Sequence, residues 1–140
     1  MYSRTGQKPG VAGSASDPAG MRWNMKEIVM IVRPEKLEEI KKVIDELGCG
    51  GMTLSTVMGC GTQKGVTDVP VNVIRGYKVN INLLPKIKID IVVDERYVEP
   101  IIMKVREACA TEHVGDGKIF VRNIEEAVRI RTGERGPEAL

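Results

Sequence analysis

A chain of 140 residues with 42% hydrophobic content and a formal charge of +2 fits one globular domain with one core, and carries too little charge to announce a nucleic-acid partner. Aromatic residues make up only 4%, so the core has to be built from Ile, Val, Leu and Met. The three cysteines, Cys49, Cys60 and Cys109, form no C-x-x-C pair and His113 is the single histidine, which argues against a disulfide framework or a zinc site and for reduced thiols in a cytoplasm.

Met1–Gly20 is rich in Gly, Ser, Ala and Pro without periodicity. It cannot bury much apolar surface and is expected to be disordered: a native tail, the product of an early start codon, or a cloning remnant. The folded domain is placed at 25–140, with 1–24 as the loose tail and Trp23 as the one residue there able to dock on something. The N-terminus has no apolar core of the kind a secretion signal needs, and no stretch is long and apolar enough to span a membrane.

Lys26–Arg33, K-E-I-V-M-I-V-R, reads as a buried strand. Pro34 suits a first helical turn, and Leu37, Ile40, Val43, Ile44 and Leu47 follow at helical spacing through Glu35–Leu47, with Gly48 as a natural stop. Gly51–Met58 reads as a second strand, with Thr53 near its start. The segment from Gly59 to Leu84 is well beyond usual loop length, which marks it as functional or mobile. Within it, V-P-V-N-V-I and K-V-N-I-N-L can form a two-stranded extension turning near Arg75–Gly76. In Ile87–Val93, Ile87, Ile89, Ile91 and Val93 line one strand face, with Lys88 and Asp90 on the other. Arg96–Ala110 reads as a second helix with Val98, Ile101, Ile102, Val105, Ala108 and Cys109 inward. A glycine turn, a strand at Lys118–Val121, a short turn at Ile124–Ala127 and a strand at Val128–Arg131 complete the domain. Strand–helix–strand, long loop, strand–helix–strand is the split βαβ, ferredoxin-like α+β pattern: an antiparallel sheet with two helices on one face. That fold serves many functions and settles none.

The chemistry concentrates in Thr111–Ile124, T-E-H-V-G-D-G-K-I-F-V-R-N-I. Gly115 and Gly117, flanking Asp116, let the backbone fold back tightly and present N–H groups, and Lys118 adds a cation at the edge. Arg129 and Arg131, in R-I-R-T-G, stand at strand spacing on a common face, and arginine grips phosphate in a fork. Backbone donors with these cations suit a phosphate chain, although G-D-G alone is also a common turn and alternate arginines often mark a solvated edge.

The glycine turn with its preceding Thr111, together with R-I-R-T-G-E at Arg129–Glu134, resembles the C-terminal signature of the PII family of signal-transduction proteins. I-V-R-P-E-K-L-E-E-I, G-M-T, the G-x-G-x-Q-K-G run and L-P-K-I-K-I-D-I-V-V fall in the same family order, so the resemblance covers Met25 to Leu140. It implies a homotrimer with sheets packed around a central axis, ATP or ADP in the clefts between subunits, and a T-loop, here at about 59–85, that contacts a target protein. It also implies that 2-oxoglutarate with Mg-ATP reshapes that loop. Carried over, the nucleotide cleft is Ile31, Thr53, Gly59, Gly61, Thr62 and Gln63, with Lys86 and Gly115, Asp116, Gly117 and Lys118, while Arg129 and Arg131 come from the adjoining subunit to hold phosphates. Gln63 offers its carbonyl oxygen to Mg²⁺. Lys86 pairs with a 2-oxoglutarate carboxylate, and Gln63 and the backbone near Lys64 and Gly65 complete that pocket.

Three departures stand out. Thr62 occupies the place of an arginine that in most members reaches the terminal phosphate, so discrimination between ATP and ADP is expected to weaken. Val79 stands where the family carries its uridylylated tyrosine, so that modification is expected to be absent, and the loop is longer than usual. The resulting expectation is a non-catalytic regulator of nitrogen or carbon metabolism whose target is an ammonium channel, a biosynthetic enzyme, nitrogenase or a transporter. A narrower alternative is an ADP or AMP sensor that does not bind 2-oxoglutarate. An RNA-binding module shares the element order but needs aromatics on its central strands, where only Phe120 is offered. A slow ATPase would rest on Asp116 or Asp90, neither of which has an evident histidine or carboxylate partner.

Overall fold

The computed structural model describes residues 23–60, 71–74, 77–80 and 83–140, so the expectation of a disordered Met1–Gly20 lies outside the described residues. Among these residues six strands and two α-helices run in the order β1 (Met25–Val32), α1 (Leu37–Glu46), β2 (Thr53–Cys60), β3 (Val71–Ile74), β4 (Tyr77–Asn80), β5 (Leu83–Asp94), α2 (Val98–Cys109) and β6 (Gly117–Ile124). The main sheet has the order β2-β5-β1-β6 and every neighbouring pair is antiparallel. This is the split βαβ arrangement that the element order implied.

Hydrophobic period decides the layers. In β1 and β5 the apolar residues Ile28, Met30, Val32, Ile89, Ile91 and Val93 alternate onto one face and are buried. They form a single core with Ile40, Val43 and Ile44 of α1 and Val98, Ile101, Val105 and Cys109 of α2. Full burial of each such aliphatic side chain contributes about 1.5–3 kcal/mol, and this aliphatic cluster replaces the aromatics that the composition lacks. The helix ends follow the local chemistry. Gly48 adopts φ +69 after α1, with the Gly48 N–H donating to Asp45 and the Cys49 N–H to Ile44, a glycine-terminated cap. Asp94 caps the short turn before α2 by accepting from the Arg96 N–H at 3.0 Å.

Among the described residues no helix lies over the opposite sheet face. One row across all four strands reads Ser55, Lys88, Ile31, Lys118, and the next reads Thr53, Asp90, Val29, Phe120. Phe120 is 52% exposed. The predicted extension is present: β3 and β4 pair antiparallel with Ile74 opposite Tyr77, and Arg75 and Gly76 between them lie outside the described residues.

Three differences from the sequence reading exceed two residues. β5 begins at Leu83 and β6 continues to Ile124, because pairing with β2 and β1 extends both strands past their apolar runs. The expected strand at Val128–Arg131 does not form. Gly133 takes φ +76, its N–H donates to the Arg129 carbonyl, and the Arg129 N–H donates to the Glu134 carbonyl at 2.9 Å. The backbone groups a strand would give to the sheet are used within a turn, leaving only the bridge Val128–Arg135.

Candidate functional site

The glycine turn joins α2 to β6 at the sheet end where β1 stops and β5 begins its pairing with β1. Its shape is set internally. Asp116 accepts from both the backbone N–H and the hydroxyl of Thr111, and Thr111 in turn accepts from the His113 N–H. The Thr111 hydroxyl is the main cause holding the Asp116 carboxyl below the usual carboxylate range, with Arg33 a lesser one. Glu112 sits at φ +64, Gly115 at +99 and Gly117 at +117, backbone that favours glycine, the residue found at two of these three places. Gly117 has a second reason to be glycine: a Cβ there would lie 2.0 Å from the Ile31 carbonyl oxygen.

Cations converge on this turn. Lys86 Nζ donates to the Gly115 carbonyl at 2.6 Å. Arg33 donates to the Val114 carbonyl at 2.8 Å and lies 3.7 Å from the Asp116 carboxylate through Nε. That Nε is buried without a hydrogen-bond partner, so the guanidinium keeps unspent donor capacity. Lys118 stands exposed beside the turn, opposite Ile31 in the ladder. Gly59, near the end of β2, lets Lys86 run close: a Cβ at 59 would meet the lysine Cγ at 3.2 Å. Three cations and one carboxylate therefore surround a turn rich in backbone donors, which suits a polyanion.

Of the residues singled out in the sequence, the structure brings together Ile31, Gly59, Lys86 and Gly115–Lys118, with Thr53 further along β2, opposite Asp90. Gly61, Thr62, Gln63, Lys64 and Gly65 lie outside the described residues. Arg129 and Arg131 are elsewhere. β6 carries the chain eight residues away from the glycine turn, roughly 25 Å at strand rise, and the turn holding both arginines sits at that far end. They do not share a strand face as expected. Arg129 is drawn into its own segment, pairing with Glu134 and donating to the Glu138 and Leu140 carbonyls. Arg131 is exposed at the turn beside Ile130, which is 99% exposed. Arg33 is the contributor that sequence reasoning missed. Its signal was present in its place between the first strand and Pro34, but nothing local reveals that the glycine turn folds against it.

Residues 25–134 match the family model for nitrogen regulatory protein P-II. Nitrogen regulatory protein P-II 2 of Methanothermobacter thermautotrophicus is 47% identical over 116 residues, 83% of this chain and 97% of that protein. Nitrogen regulatory protein P-II of Rhodospirillum rubrum is 45% identical over 116 residues, covering 83% and 100% respectively. Among solved structures, the B. subtilis GlnK–ATP complex is similar with a TM-score of 0.68 at 34% identity, covering 83% of this chain and 95% of that one.

Proposed function

The chain belongs to the P-II family of nitrogen regulatory proteins, and from that premise we propose that it is a non-catalytic regulator that binds ATP or ADP between the subunits of a homotrimer. The observation that carries this reading is the separation of the two cationic elements. The glycine turn with Arg33, Lys86 and Lys118 lies at one end of the sheet and Arg131 at the other, so one chain cannot close both on a single phosphate chain. Two copies arranged around an axis can.

In this reading Gly115–Lys118 and Lys86 border the phosphates, Ile31, Thr53 and Gly59 form the wall, and Arg131 of a neighbour supplies charge. Arg129 would exchange Glu134 for phosphate. Asp116 acts through its backbone and through the bond to Thr111 that shapes the turn. Among the described residues no cluster of His, Cys, Asp and Glu could hold a metal. In the same reading Mg²⁺ enters together with the nucleotide, Gln63 being its protein ligand, and 2-oxoglutarate is the further effector at Gln63, Lys64, Gly65 and Lys86. Bound ligand would act on a target protein by shifting the population of loop conformations between β2 and β5. A regulator is preferred to an enzyme because Asp116 is committed to Thr111 and Asp90 lies beside Lys88. Three free cysteines fit a reducing compartment, and no helix among the described residues is long and apolar enough to cross a membrane.

A second, narrower reading is an energy or metabolite sensor, taking ADP or AMP, that does not bind 2-oxoglutarate. Calorimetry with ATP, ADP and 2-oxoglutarate, each with and without Mg²⁺, separates the two. Binding of nucleotide with enhancement by 2-oxoglutarate supports the first, and nucleotide binding alone supports the second. A folded, assembled protein that binds no adenine nucleotide overturns both.

A further inference from the structure

We infer that Trp23 is a positioning residue for the turn that carries Arg131. The inference rests on the reading of Arg131 as a phosphate contact across a subunit boundary. Trp23 is the single tryptophan of the chain, and it lies just before β1, ahead of the 25–134 region matched to the family. Its ring packs directly on Gly136: a Cβ at 136 would fall 2.5 Å from one ring carbon and 2.6 Å from another. Gly136 is buried and holds φ +69, so both its conformation and its missing side chain serve this contact.

The contact reaches the arginines through the backbone. The Gly136 N–H donates to the Ala127 carbonyl at 2.9 Å, closing the neck of a loop from 127 to 136. Inside the neck, Val128 bridges Arg135, the Arg129 N–H donates to Glu134, and Arg135 holds Glu126 at 2.9 Å. A loop bonded at each of these levels moves as one piece, and its freedom is concentrated in residues 125–127, where β6 has ended. Trp23 presses on that neck. Its own backbone is held from the other side, because the Asn24 carbonyl accepts from the Glu95 N–H at 2.8 Å. The indole is thus a wedge between the start of the domain and the arginine turn, and it sets the angle at which Arg131 leaves the sheet. An arginine held in place loses less freedom when it grips an anion, which raises affinity without any new contact.

The test is calorimetry with Mg-ATP on the full chain and on Trp23→Ala, Trp23→Phe, Arg131→Gln and the Trp23→Ala/Arg131→Gln double variant. Trp23→Ala should weaken ATP binding by about fivefold or more, the low end of coupling between linked sites, with the oligomer unchanged in sedimentation. Trp23→Phe should restore most of the loss. The double variant should bind no more weakly than Arg131→Gln alone, because the wedge acts only through that side chain. Wild-type affinity in Trp23→Ala, or a loss that adds in full to that of Arg131→Gln, overturns the inference. Should Trp23→Ala fail to fold, the unaltered chain still decides: its indole emission should shift on saturation with Mg-ATP, and the shift should vanish in Arg131→Gln. Unchanged emission at saturation refutes the positioning role while leaving the nucleotide site standing. A wild-type chain that binds no ATP removes the site and the inference together.

Discussion

Single side chains set the shape of the glycine turn, and their protonation sets its acid tolerance. The Thr111 hydroxyl holds Asp116 below the ordinary carboxylate range. The Arg122 guanidinium, hydrogen-bonded to Glu27 across β1 and β6, does the same for Glu27. Unfolded, both carboxyls titrate near pH 4. A carboxyl whose folded value is depressed stabilises the fold fully above the unfolded value, and that stabilisation is lost as pH falls through the folded one. The urea midpoint should therefore stay level from pH 7 to about pH 5 and decline below that, and Thr111→Val should make the decline shallower. An acid limb identical in wild type and variant would show that the bond to Thr111 does not tune Asp116. The sequence marked Asp116 as part of a phosphate-binding turn but not as its strut. The Thr111 partner lies five residues upstream, and only the reversal of the backbone at Glu112–Gly115 brings them together.

Among the elements, those whose apolar residues keep a clear period were legible. α1, α2 and the core faces of β1 and β5 follow from Ile40, Val43 and Ile44, from Val98, Ile101 and Val105, and from the alternation in Ile87–Val93. The segment after β6 was not legible in the same way. R-I-R alternates like a strand, but Gly133 and the local bonds of Arg129 win over a period only three residues long. That outcome separates two arginines that spacing had made equivalent. Arg129→Gln should lower stability by about 1 kcal/mol, since it deletes charge-assisted bonds at a half-exposed site. Arg131→Gln should leave stability unchanged and reduce ATP affinity about tenfold or more. Thermal melts and calorimetry on the pair would check this, and equal stability loss in both variants would contradict it.

At the scale of the molecule, the ferredoxin-like order was readable from the alternation of elements, whereas the placement of the site was not. No local pattern says that Arg33, Lys86 and the glycine turn come together, because that depends on the 4-stranded register. Among the described residues no helix covers the sheet face that carries the exposed Phe120 with Lys88, Lys118 and Asp90, and the proposed trimer is tested there. Sedimentation should give about three times the 15.4 kDa chain mass. Phe120→Glu should yield monomers that keep their far-ultraviolet dichroism, since Phe120 lies outside the core. A wild-type monomer, or a variant trimer, would show that this face is not the contact.

The close approach of Gly117 to the Ile31 carbonyl has a consequence for how the chain threads itself together. The spot beside that oxygen is a keyhole that admits only a residue without a side chain, and its neighbours in the sequence, Asp116 and Lys118, are both too large. A β6 paired with β1 one residue out of register would put Asp116 or Lys118 in that spot, and the clash excludes that register. The same narrow gap therefore fixes where Lys118 and the glycines of the turn come to lie, at the place where the proposed anion would meet them.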